Sequence, residues 1–262
     1  MKTREAAVAG LFYPGGESAL RAQVEGFLAG ASGGEQPKAL IGPHAGTKYS
    51  GAVAASAYAH LEPTSGSPSI ERVVLLGPSH RVAFRGIATS TAAQFRTPLG
   101  TIPVDRSAVD ELEARFEAIS PLDEAHRQEH SLELHLPFLQ TTLGPFQIVP
   151  LVIGPTPTQI VAEVLDALWG DEETLIVISS DLSHFHDYDT AQQMDRQTSD
   201  MIETLAWEKL EHDGACGFYP VRGLLETARR RGMSAQTVDL RNSGDTAGAR
   251  NEVVGYGSYL FH

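Results

Sequence analysis

Four stretches of nearly unbroken apolar residues run through the chain: Lys38–Ile41, Arg72–Leu76, Gln147–Ile153 and Thr174–Ile178. Runs this short, without an alternating polar face, fit strands buried on both sides. Between them the spacing changes to that of helices. Leu20, Val24, Phe27 and Leu28 predict a helix over Glu17–Ala29, stopped by Gly30. A polar, Gly-rich link follows to Gln36. Ser50–Leu61 is rich in alanine and apolar on more than one face, which predicts a buried helix. Pro63–Ser69 reads as a loop, and Gly86–Thr89 as a short strand before turns at Pro98 and Pro103. Asp105 is placed to cap a helix through Phe116, with Val109, Leu112 and Phe116 on one face. Helical stretches are also predicted over Ser131–Thr142, Thr158–Trp169, Thr190–Glu211 and Val221–Arg231. Strands at Gln236–Leu240 and Glu252–Phe261 close the chain. This alternation predicts one α/β domain over residues 1–262, with a central mixed, largely parallel sheet flanked by helices.

Composition adds limits. Hydrophobic residues make up 42% of the 262, enough for a single large core. Twenty basic residues face 33 acidic ones, a net charge of −13, so counterion-release binding to nucleic acid is disfavoured. The one cationic run, Arg229-Arg230-Arg231, suits a helix end before Gly232. A single cysteine, Cys216, rules out an intramolecular disulfide and fits a reducing compartment. The first residues lack a signal-peptide apolar core, and no apolar stretch approaches membrane-spanning length, so no membrane association and a cytoplasmic location are expected.

The candidate chemistry sits where strands end. His44 follows Ala39-Leu40-Ile41 in Gly-Pro-His-Ala-Gly, His80 follows Val73–Leu76 in Gly-Pro-Ser-His, and His184 follows Leu175–Ile178 in Ser-Ser-Asp-Leu-Ser-His. Ligands of open α/β sheets bind beyond the carboxyl ends of strands, and neutral imidazole is the commonest metal ligand. Asp181, three residues before His184, ligates, orients a histidine, or caps a helix; a turn of helix here would put both side chains on one face. His186 is an outside candidate, and Asp187 and Asp189 start the next helix or face solvent. In Glu129-His130-Ser131-Leu132-Glu133-Leu134-His135 the His-Glu-x-x-His spacing of zinc proteases is absent. Its two histidines fall on different helical faces, so His130 is assigned to the site and His135 to structure. The loop Asn242-Ser243-Gly244-Asp245 offers Asp245 as a carboxylate partner for His44 and His80, although an ordinary Gly-Asp turn explains it as well. Cys216 reads as a small buried hydrophobe.

Together these segments resemble the Memo family (mediator of cell motility), whose prokaryotic members are called AmmeMemoRadiSam system protein B. The resemblance is carried by Ala9-Gly10, Phe12-Tyr13, Pro43-His44-Ala45-Gly46 with Tyr49 and Gly51, and Leu76-Gly77-Pro78-Ser79-His80. It continues through Glu129-His130-Ser131 to Leu136-Pro137, Ser179-Ser180-Asp181 with His184, and Cys216-Gly217. It implies a fold similar to the catalytic subunit of class III extradiol dioxygenases. It also implies metal ligands at His44 and His80, an acid/base at His184, and Asp181 and His130 lining the same pocket. Animal members place a cysteine near the start of the C-terminal loop. This chain has Asn242-Ser243-Gly244-Asp245 there, which makes Asp245 the expected third ligand, with Ser243 behind it. A carboxylate favours Fe(II) over a soft copper-type site, with copper and zinc as the other ions.

The expected function is therefore that of a metal-binding protein acting as a non-haem iron-dependent oxidoreductase, dioxygenase-like. His44, His80 and Asp245 would hold the ion, and His184, Asp181 and His130 would serve the chemistry. The alternatives are a non-catalytic metal-binding or interaction protein on the same scaffold, and a metal-dependent hydrolase. The resemblance further associates the chain with a radical-SAM protein and with protein A of the same named system. The substrate and the oligomeric state stay open.

Overall fold

The computed structural model describes residues 2–62 and 69–262, so the loop read over Pro63–Ser69 lies almost wholly outside the described residues. The chain begins with β1 (Thr3–Arg4), α1 (Glu17–Ala29), β2 (Ala39–Gly42), α2 (Thr47–Tyr58) and β3 (Arg72–Pro78). Short elements follow: β4 (Ile87–Thr89), β5 (Gln94–Thr97), β6 (Gly100–Pro103), α3 (Arg106–Arg115), β7 (Ile119–Pro121) and α4 (Asp123–Arg127). Next come α5 (Leu136–Thr142), β8 (Gln147–Ile153), α6 (Thr158–Leu168), β9 (Thr174–Ser179), β10 (His184–His186) and α7 (Tyr188–Glu203). The chain closes with α8 (Phe218–Arg231), β11 (Ala235–Asn242) and β12 (Val253–Phe261).

The four apolar runs become four parallel strands, in the spatial order β2-β9-β3-β8. Apart from Arg72 and Gln147 at their starts, every residue in them is buried. Each Val, Leu or Ile so enclosed contributes about 1.5–3 kcal/mol relative to exposure. Antiparallel β12 borders β2 and carries β10 and β11; antiparallel β4 borders β8 and carries β7. The sheet is thus mixed with a parallel centre. A smaller sheet has the order β1-β5-β6. Helices α6 and α8 pack on each other, and α8 lies against β3 and β9. A second group, α1, α2 and α5, places α2 against β2 and β12.

Several expected boundaries move. Helix α2 starts at Thr47, three residues early, which leaves only Pro43–Gly46 between β2 and α2. Ser131–Thr142 is a 3-10 turn over Glu133–His135 running into α5. The long helix expected to reach Glu211 ends at Glu203, because Leu205 takes a left-handed backbone (φ 52°), and a 3-10 turn at Trp207–Lys209 follows. Pro98 lies in the turn of the hairpin β5–β6, whereas Pro103, also expected at a turn, ends β6 and pairs with Gln94. Asp105 caps α3 by accepting from Ala108 N at 3.0 Å. Asp181–Ser183 is irregular rather than a helical turn, and His184 opens β10.

Strand register sets up the site. Ile41, Ile178 and Leu76 lie side by side across β2, β9 and β3. His44 and Asp181 come three residues after their members of this row, and His80 four. Strands about 4.8 Å apart thus deliver three side chains to one edge. Gly77 is required there, since a Cβ on it would lie 2.8 Å from Ser131 Oγ.

Candidate metal centre

His44 is buried, and its ring is oriented by a chain of two hydrogen bonds. Its Nδ1 lies 2.6 Å from Ser179 Oγ, whose hydroxyl donates to the Ser131 carbonyl at 2.6 Å. A carbonyl only accepts, so the Ser179 oxygen must accept from His44 Nδ1–H, and Nε2 keeps the lone pair. The His44 backbone N–H donates to Asp181 Oδ1 at 2.7 Å, joining the loops after β2 and β9.

His80 is held by Glu129. The backbone N–H of His80 donates to Oε2 at 2.6 Å and its Nδ1 to Oε1 at 2.8 Å. Oε1 also accepts from the backbone N–H groups of His130 and Ser131, each at 2.9 Å. Burial alone would raise the Glu129 pKa, but the hydrogen bonds and charge of His80 overrule it and bring it to about 2. A carboxylate on Nδ1 orients the ring and leaves Nε2 of His80 as the nitrogen available to a ligand.

His130 completes the group. Its ring stacks on His80 with centroids 4.5 Å apart and meets His44 edge-on at 5.5 Å, while His44 and His80 are 5.1 Å apart. One ring nitrogen from each of the three lies within 4.8 Å of the others. Burial first, then neighbouring imidazoles, push His44 far below the usual histidine range, and burial with His80 brings His130 to about 4. These two rings are neutral at pH 7, which is the ligating form. Two nitrogens about 2.1 Å from one ion lie at most about 4.2 Å apart. That is within reach of a small rotation of His80, the most exposed of the three. The residues present fit a divalent transition-metal ion.

His184 stands beside this group. Its Nδ1–H donates to the Leu182 carbonyl at 2.9 Å, so its Nε2 also carries the lone pair. It is close enough to act electrostatically on both His44 and Asp181. Burial raises the Asp181 carboxyl, and His184 opposes that. Phe185, the next residue, has a left-handed backbone (φ 62°) and is 73% exposed. A strained, solvent-facing aromatic at this point is unusual outside functional sites.

The expected third ligand, Asp245, is not brought to the imidazoles. Its Oδ1 accepts from Tyr188 OH at 2.5 Å and its Oδ2 from the Asn242 backbone N–H at 3.0 Å, within a capping box. Ser243 Oγ accepts from Val254 N at 3.1 Å. The carboxylate is bonded to its own loop and to α7, and the side chains that the structure groups are His44, His80 and His130. His135 is buried with its Nδ1 2.6 Å from Tyr58 OH, and Asp187 caps α7 through Thr190 N. His186 is half-buried on β10.

Three contributors escaped sequence reasoning. Glu129 and Ser179 orient imidazoles, and Cys216 Sγ lies 3.3 Å from His44 Nε2 while accepting from Asp181 N at 3.1 Å. Burial, then the Asp181 charge, push the thiol upward, so it is protonated beside His44. The signal for Ser179 was present in Ser179-Ser180-Asp181, small polar residues ending an apolar strand. A cleft of 460 Å³ lined by Leu11, Phe12, Thr47, Lys48 and Tyr49 borders the His44 loop.

The family model described as Memo-like protein matches residues 4–260. A MEMO1 family protein of Aquifex aeolicus is 34% identical, with all of both chains covered. One from Sulfolobus acidocaldarius is also 34% identical, over 97% of this chain and 98% of the relative. MEMO1 family protein MK0963 of Methanopyrus kandleri is 33% identical over 98% of each. Among solved structures, an uncharacterized protein, JW3007, from Escherichia coli K12 shares the fold with a TM-score of 0.55 at 13% identity, covering 86% of this chain and 100% of that one.

Proposed function

The chain belongs to the Memo family, and from that premise we propose that it holds one divalent transition-metal ion on His44, His80 and His130 and works as an iron-dependent, dioxygenase-like oxidoreductase. The observation that carries this is the convergence of three imidazoles, two of them with Nδ1 held by an oxygen acceptor, which assigns Nε2 to ligation. A bound ion would supply a Lewis acid with open positions and, as iron, redox capacity. His184 would take and return a proton at Nε2 while the Leu182 carbonyl holds its other nitrogen. Asp181 would steady the resulting imidazolium and keep the His44 loop in place.

One observation favours a second reading. With Asp245 outside the group, the proposed ligand set is three imidazoles, the set also used by zinc sites that activate water. A metal-dependent hydrolase is the runner-up for that reason. A binding role without catalysis needs only the ligands and not His184. The radical-SAM protein and protein A of the same named system remain the proposed partners.

Metal analysis of untagged protein tests the site. Wild type should carry near-stoichiometric metal and the His44→Ala/His80→Ala double variant none; a double variant that keeps its metal overturns the ligand assignment. Anaerobic loading with Fe(II), then exposure to oxygen with candidate catechols, separates the oxidoreductase from the hydrolase.

A further inference from the structure

All three imidazoles depend on one tripeptide. Glu129 holds His80, His130 is itself in the group, and the Ser131 carbonyl fixes the Ser179 hydroxyl that orients His44. No regular helix or strand contains these three residues, which lie between α4 and the turn leading to α5. What holds them comes from the other end of the chain.

Arg4 is buried, and its guanidinium grips this segment at three points. Nε donates to the His126 carbonyl at 3.0 Å, and the two terminal nitrogens donate to the Glu129 carbonyl and the Glu133 carboxylate. Only a planar fork of five N–H groups can serve three acceptors in such different directions. Glu133, fully buried, also accepts from Ala7 N at 2.8 Å, Val8 N at 3.0 Å and Tyr13 OH at 2.5 Å. The same arm then reaches the ligands. The Phe12 ring packs edge-on against His130 at 5.0 Å, and the Phe12 carbonyl accepts from Thr47 N at 2.7 Å, in the first turn after the His44 loop. By contrast, β1 pairs with β5 through only two residues, so backbone pairing contributes little to docking the arm.

We propose that Arg4 is a positioning residue for the metal centre: by clamping the Glu129 carbonyl and the Glu133 carboxylate it fixes the Glu129–Ser131 turn, so that docking of the N-terminal arm and occupancy of the three-histidine site are coupled. The inference rests on the three-histidine reading. Coupling of this kind is reciprocal: whatever loosens the arm weakens the ion, and the ion tightens the arm.

The test uses full-length protein and Co(II), followed by its visible absorption. Arg4→Met alone leaves the Glu133 charge buried and unpaired and threatens folding. The Arg4→Met/Glu133→Gln pair removes both charges and keeps an acceptor for the arm. Its Co(II) affinity should fall by about 10- to 100-fold, the range for lost supports of metal ligands. A merely structural role would lower the thermal midpoint and leave the Co(II) affinity of the folded fraction unchanged; that result overturns the proposal. Should the pair not fold, hydrogen exchange on wild type decides. Amides of Ala7 and Val8 should exchange more slowly with Co(II) than without it, and equal rates overturn the coupling. Wild type that takes up no Co(II) sinks the three-histidine reading itself, an outcome distinct from Co(II) binding that ignores the arm.

Discussion

Two turns in this protein are built around a carboxylate that accepts backbone N–H: the Glu129–Ser131 turn adjoins the three-imidazole cluster, and the Asn242–Gly248 loop contributes no member to it. In the Glu129–Ser131 turn the carboxylate accepts from His80, His130 and Ser131 N–H groups and still has capacity for the His80 ring. In the Asn242–Gly248 loop Asp245 accepts from Asn242 N and spends its other oxygen on half-buried Tyr188. The first carboxylate is buried beside the carboxyl end of β3, in the parallel centre of the sheet. The second is exposed beyond the end of β11, a strand that among the described residues pairs with β12 alone. Local chemistry is nearly the same in both. Position in the sheet decides which one meets histidines.

The largest expected difference between the two regions is in acid. Around the first turn His126 and His135 are buried and His130 half-buried; burial, joined at His130 by His80, brings them to about 4, 3 and 4 respectively. An unfolded histidine takes a proton near pH 6.5. Between that value and about pH 4 the unfolded chain therefore binds more protons than the folded one, and stability rises with pH. It should be complete above about pH 6.5 and decline steadily towards pH 4, by about 1.4 kcal/mol per pH unit for each proton refused. Thermal unfolding of metal-free protein from pH 7 to pH 4 should show uptake of at least about two protons near pH 5. A flat profile would mean these rings are hydrated, and the contrast in burial between the two turns would fail.

Next in size is the loss of the buried carboxylate's charge. Glu129→Gln is nearly isosteric but cannot accept at both oxygens, so the His80 ring and one backbone N–H must compete for the remaining one. Co(II) or Zn(II) affinity should fall about 10- to 100-fold. Restoration of full affinity in this variant would show that His80 needs no carboxylate behind it.

This contrast also shows what could be read from the chain. The four parallel strands were legible because Val73–Leu76 and its counterparts are apolar without interruption, and such runs have one stable place, the middle of a covered sheet. His44, His80 and Asp181 were legible because they follow those runs. Elements without such runs were not: β5–β6 read as turns, and β10 was not expected, because three or four residues carry no usable period. That Asp245 is bonded to its own loop and to α7 while His130 lies with His44 and His80 was beyond local pattern as well. Asn242-Ser243-Gly244-Asp245 looks like a ligand loop, but which oxygen remains free depends on Tyr188, more than fifty residues away. Glu129 was visible as a residue, but its role required knowing that the chain after β3 returns to it.

The smallest effect belongs to Asp245 itself, and it divides the two regions most sharply. Asp245→Ala removes the carboxylate that accepts from Asn242 N and Tyr188 OH, so the loop loses half of its capping box. The stability cost should be about 1 kcal/mol or less, in the range of lost caps. Metal affinity should not change, because both Asp245 oxygens are engaged by Tyr188 and Asn242 and the residue is not in the three-imidazole group. His130→Ala, measured alongside, should lose most of its affinity while the Asn242–Gly248 loop stays intact. If instead Asp245→Ala abolishes metal binding and His130→Ala does not, the loop must unwind to deliver its carboxylate. The ligand set would then become two histidines and a carboxylate, a set that favours iron, and the capping box would be a resting arrangement that metal uptake breaks.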